Sequence, residues 1–176
     1  DALAGYGIDT RLEFLLVPVA FAVGVASVPL VGMAVGAGRI ARARQAAWTA
    51  AGLATALLGG LGLAVTLAPD LWTGLFTQDP AVLAAAAGYF RWAGPVYGLF
   101  GLGLSLYFSS LGAGKAIGPV LAGTLRLVMV AGGGALLALW QTPTWTIFAL
   151  MSAGMAAYGI SSVLFVRYTP WGVEER

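Results

Sequence analysis

Glu13 is the carboxylate closest to a long apolar stretch and Arg126 lies inside one, so any charge chemistry at depth begins with them, whereas Arg91, counted 20 residues back from Leu111, reaches the opposite interface and can snorkel outward. A carboxylate in an apolar setting can take up a proton or hold a cation. A guanidinium there pairs with an anion or fills the hydrogen-bonding needs of its neighbours. Tyr97, Phe100, Tyr107 and Phe108 add aromatic faces, each able to attract a cation by about 0.5–2 kcal/mol. The chain has no Cys and no His, which removes thiol nucleophiles, disulfides, imidazole acid–base catalysis and most transition-metal sites. No catalytic set, metal site or organic cofactor is therefore predicted.

Each of these residues has a plainer reading. Glu13 stands where a helix is predicted to begin, and a carboxylate in a first turn meets the helix N-terminus favourably while still touching water. Arg126 lies about six residues, roughly 9 Å, into its apolar run, which a snorkelling guanidinium only just covers. A lipid-facing charge at that depth costs about 2–3 kcal/mol, so Arg126 is predicted to face other helices or a wet cavity. The aromatics serve equally as packing. Gln141 and Ser152 are polar, but nothing singles them out.

The elements that must position these groups are membrane spans. The chain of 176 residues is 60% hydrophobic and only 9% charged, against roughly 25% charged for a soluble domain. Its net charge of +2 comes from scattered loop arginines, with no basic face for a nucleic acid. The organising stretch is Ser27 to Trp48, where three arginines (Arg39, Arg42, Arg44) follow a glycine turn, Gly36 and Gly38, between two uncharged runs. Each run, Glu13 to Arg39 and Arg44 to Asp70, encloses 25 uncharged residues. A helix needs about 20 apolar residues to cross roughly 30 Å of hydrocarbon, so this is a membrane hairpin with a basic tip. The arginines of that tip can hold anionic headgroups, pair with another part of the protein, or simply lie in water as an orientation signal.

Read in order, the chain gives five spans at about 12–35, 46–68, 81–111, 120–139 and 145–166, an all-α membrane protein built as a five-helix bundle. Asp9 or Thr10 is predicted to cap the first helix near Arg11. Pro18 and Pro29 lie within that helix, and Gly94-Pro95 is predicted to bend the third. Gly52, Ala56 and Gly60 stand four apart and mark a face for close helix approach, as do Gly32 and Gly36. Leu71 to Pro80 reads as an interfacial connector ending in the helix start Asp79-Pro80.

Alternating the loops puts Arg39, Arg42, Arg44, Lys115, Arg167 and Arg176 on one side. Arg11 and Arg91 fall on the other, with Asp1, Asp9, Asp70 and Asp79. By the positive-inside rule the first side, with the C-terminus and its tail of Glu174, Glu175 and Arg176, is cytoplasmic. Trp48 and Trp171 are then expected at the inner interface and Trp72, Trp140 and Trp145 at the outer.

The segments GYGIDTRLEFL, VGMAVGAGRIARARQAA, LFTQDPAVLAAAAGYFRW and SSLGAGK, by their order and spacing along almost the whole chain, resemble the multidrug and toxic compound extrusion (MATE) family of antiporters. The resemblance implies a twelve-helix transporter of two six-helix lobes in a bacterial inner membrane. An H⁺ or Na⁺ gradient would drive export of cationic, often aromatic compounds. It places this chain at helices eight to twelve of the second lobe, with an N-terminal lobe of the same protein as its partner. Family members that couple to cations commonly carry a carboxylate midway along the tenth helix, where this chain reads GPVYGLFGLGLSLYFSS without an acid. The resemblance thus assigns no coupling-ion ligand here. Glu13, Arg126, Tyr97 and Tyr107 are the predicted pathway residues. The alternative cargo is a lipid-linked oligosaccharide, moved by a flippase of a related family.

Overall fold

The structure, a computed structural model, describes residues 2–140 and 142–172. The expectations for Asp1, Gln141, Glu174, Glu175 and Arg176, and for the side chain of Asp9, lie outside the described residues.

Among the described residues the architecture is seven α-helices: α1 (Ala2–Gly36), α2 (Ile40–Leu67), α3 (Asp70–Thr73), α4 (Pro80–Ala93), α5 (Tyr97–Gly112), α6 (Ile117–Leu139) and α7 (Thr144–Tyr168). A single 3₁₀ turn, Gly94–Val96, joins α4 to α5. Among the described residues there is no strand. Four helices, α1, α2, α6 and α7, are each long and apolar enough to cross a bilayer. At 1.5 Å per residue α2 is about 42 Å long, more than the hydrocarbon core requires.

The predicted third span differs from the other four, because it is divided. Pro95 has no N–H to give the preceding turn, and the helix tightens there to 3₁₀ before resuming. The hydroxyl of Thr66 on α2 reaches across to Phe90 O (3.1 Å) as well as to Gly62 O (2.7 Å), serving a carbonyl beside the break. Asp79 starts α4 as expected, its carboxylate accepting from Ala81 N at 2.9 Å, with Pro80 following.

Two expectations at helix ends are corrected. The first helix is not capped by Asp9 or Thr10 near Arg11; α1 begins at Ala2, and Thr10 bonds back to Gly7 O inside it. Glu13 accordingly stands eleven residues into a helix rather than in its first turn. Trp171 lies at the basic end, 2% exposed in the core there.

Lipid is as apolar as leucine, so helices in a bilayer associate by close packing and by polar contacts. Here α1, α2 and α5 form the centre, with α4 and α7 against them, while α6 rests on α7 and buries only Pro119 and Ala122. Close approach uses a different face of α2 from the predicted one. Gly52 and Gly60 meet nothing, whereas Gly59 abuts the Gly98 backbone, Gly62 abuts Gly94, and Ala54 receives Gly101. Four-residue spacing named the right kind of residue and the wrong stripe, because α2 is rich in small residues all round. At the foot of α1, Gly32 does pack as expected, against the Gly112 carbonyl, but Gly36, one turn on, meets nothing and is no part of a close approach.

The basic tip also divides. Gly38 turns the chain with φ 71°, a left-handed conformation that favours glycine. Arg39 and Arg42 are exposed. Arg44 is not: its guanidinium donates to Val166 O (3.1 Å) and Thr169 O (2.9 Å) and lies over the Trp171 ring at 5.6 Å. It therefore caps the C-terminal carbonyls of α7, which have no intrahelical partner, and correcting the uniform reading of the three arginines follows from that. Arg44→Ala should lower stability by about 2 kcal/mol, since bonds to a charged group are worth about 1.5–3 kcal/mol each when buried and less at a half-exposed guanidinium whose carbonyl partners regain water. Thermal unfolding in detergent should show a Tm fall of roughly 4–8 °C. Arg44→Lys should recover only part of it, since one ammonium cannot reproduce the fork; full rescue by lysine would reduce the role to bare charge.

Candidate functional site

At the end of the bundle away from the basic tip, the inner faces of α1, α4, α5 and α7 form one apolar cluster: Leu12, Leu16 and Ala20 meet Tyr89, Phe90, Tyr97 and Met155. Two tyrosines in such a cluster bring hydroxyls that need partners. Both find Glu13. The Tyr89 hydroxyl donates to Glu13 Oε1, and the Tyr97 hydroxyl lies 3.3 Å from the same oxygen. Each tyrosine is 1% exposed and Glu13 is half-buried. The break at Gly94–Val96 matters here, because it lets α4 and α5 each present a tyrosine to α1.

Arg126 enters from α6, and its predicted inward orientation holds. The guanidinium carbon stands 5.1 Å from the centre of the Phe100 ring and 6.0 Å from that of Tyr158. Glu13, Tyr89 and Arg126 line one cavity of about 400 Å³ together with Met151 and Met155 of α7. The structure therefore brings three of the four predicted pathway residues into one neighbourhood: Glu13 and Arg126 on the wall, and Tyr97 behind Glu13.

Tyr107 is not part of it. It packs edge-to-face on Phe108, ring centres 5.3 Å apart, ten residues further along α5 and so about 15 Å away along the helix. Phe108 in turn packs on Phe21 and covers Gly24. Nor is Phe100 a bare platform for a substrate cation, since the protein's own arginine sits over it.

Tyr89, Tyr158 and the two methionines were not singled out from the sequence. A usable signal for Tyr89 existed: it lies eight residues before Tyr97, which returns both to one face of a helix, and Tyr97 had drawn attention already. Nothing in the spacing of Tyr158 pointed to Arg126, because the two helices that bring them together are joined through an antiparallel turn of unspecified register.

Among the described residues no group of His, Cys, Asp and Glu could hold a metal ion. What the arrangement can do is narrower. It sets one carboxylate, accepting from two phenols, and one guanidinium on the wall of the same cavity, opposite charges in a setting where interactions are stronger than in water.

The model of the MatE family matches residues 1–136, which take in α1 to α5 and most of α6. No curated protein matches the chain.

Proposed function

Because this chain belongs to the MatE family of membrane transporters, we propose that it forms part of an antiporter that exports cationic or aromatic compounds in exchange for H⁺ or Na⁺ by alternating access. The observation that supports the reading is the Glu13 carboxylate, near the outer end of an apolar helix, held by Tyr89 and Tyr97 on the wall of a cavity that also receives Arg126.

The chemistry is competition for one carboxylate. Ionised Glu13 accepts from both phenols and attracts positive charge, whether the substrate's, a sodium ion's or that of Arg126. A proton bound to Glu13 cancels that attraction and converts one acceptor oxygen into a donor. A site that cannot hold both cations at once exchanges them, and exchange between two faces of the membrane is antiport. Arg126 keeps the empty site close to neutral, which lowers the cost of reorienting it through lipid. An anionic lipid-linked cargo fits less well, because it would approach the same carboxylate.

The basic end faces the cytoplasm in this reading, which leaves Glu13 toward the outside. Everted membrane vesicles from cells producing the protein provide the test. Ethidium accumulated inside them should rise when a proton or sodium gradient is imposed and collapse when it is discharged. Uptake indifferent to both gradients would refute ion-coupled export.

A further inference from the structure

We propose that the outward groove between α1 and α2 is a binding site for one anionic phospholipid of the leaflet at the basic end, with its phosphate between Arg39 and Arg42. The groove encloses about 900 Å³ and runs along α1 from Ala22 to Ala37 just past its end, and along α2 from Leu53 down to Arg39 at its N-cap. Fifteen residues of α-helix are about 22 Å. Half a bilayer with its headgroups is about 20–22 Å. The groove is thus one lipid long.

Its polarity changes where a lipid's does. Leu30 and Leu53 line the deeper part and are 55% and 52% exposed, while Arg39, Arg42 and Gln45 stand at the mouth with Met33 level with them. On α2 the lining positions recur every three to four residues, so the two arginines and the apolar wall share one helix face. Among the described residues no acid neutralises these arginines: Glu13, Asp70 and Asp79 belong to the opposite half of the bundle, and Arg44 is committed to the end of α7. A second copy of this chain seated in the groove through a two-fold axis would set the same cations against one another. An anionic headgroup fits between them, and an acyl chain fills the wall beneath.

The chain has no native cysteine, so Met33→Cys carries a single bimane label inside the groove. The labelled protein is reconstituted in phosphatidylcholine vesicles containing either brominated phosphatidylglycerol or brominated phosphatidylcholine at equal mole fraction. The phosphatidylglycerol should quench the label at an apparent affinity at least about fivefold higher, since each basic residue at the surface contributes about a fivefold factor. Arg39→Gln with Arg42→Gln should bring the two lipids level. Ala26→Phe, which keeps both arginines and narrows the groove, should also remove the preference, and Lys115→Gln on the same end should leave it intact.

Equal quenching by the two lipids in the unaltered groove would overturn the site. So would a preference that survives either groove variant, or one that Lys115→Gln weakens as much, since the arginines would then act only as surface charge. A label dark to both lipids would mean that protein covers the groove. Loss of quenching on adding inorganic phosphate alone would make it a free-phosphate site.

Discussion

Glu13→Gln should reduce gradient-driven efflux about 100-fold while leaving the protein folded and inserted. Glutamine keeps the shape and an oxygen that both phenols can reach, but it can neither bind a proton at physiological pH nor hold a cation by charge. Hydrogen bonds to a charged group are worth about 1.5–3 kcal/mol each. Neutral ones are worth about 0.5–1.5 kcal/mol, so with two converging on Glu13 Oε1 the loss of charge amounts to about 2–3 kcal/mol, roughly two decades at 1.4 kcal/mol per decade. Counterflow in proteoliposomes, with substrate on both sides and no ion gradient, separates coupling from binding. The variant should retain more activity there than under a gradient. Wild-type coupling in Glu13→Gln would remove the carboxylate from the mechanism, and equal loss in both assays with a normal Tm would make it a substrate group alone.

The second large effect concerns the crossing of α2 with the α4–α5 break. Gly62→Leu should destabilise the bundle by about 3 kcal/mol or more, lowering the Tm in detergent by roughly 6–12 °C. A Cβ on Gly62 would run into the Gly94 carbonyl and come within 3.1 Å of its carbon and 3.2 Å of the Tyr97 Cβ. Those atoms are backbone or the root of a side chain, so no rotamer change relieves the clash. Moving them would also pull Tyr97 away from Glu13, and transport should fall with stability. Gly60→Leu, two residues earlier on the same helix with nothing within 4 Å, should change stability by no more than about 0.5 kcal/mol. The reverse ranking would mean that α2 packs through Gly52, Ala56 and Gly60 after all.

These two positions also mark what could be read from the chain unaided. That it is a helical membrane protein with a basic hairpin followed from charge-free runs longer than a bilayer is thick, which is a property of composition and order. So did the start of α4 at Asp79-Pro80 and the weakness at Gly94-Pro95, because capping and proline geometry are local. Arg126 was turned inward on cost alone, since a lone guanidinium at that depth has few places to go. The segments quoted above carried the family in the same way, by their residues and spacing.

What only the tertiary structure decided was who meets whom. In α2 small residues occur on every face, and the stripe used was set by the shape of α4 and α5 rather than by the period of the sequence. Arg44 differs from Arg39 and Arg42 solely because the end of α7, more than 120 residues away, comes to rest beside it. Glu13 gained its phenols through a helix start nine residues earlier than local capping suggested and through a break that points two helices at one oxygen. Spacing fixes which side chains share a face, whereas the partner of that face depends on the packing of helices distant in sequence, where lipid gives no hydrophobic preference and fit alone selects.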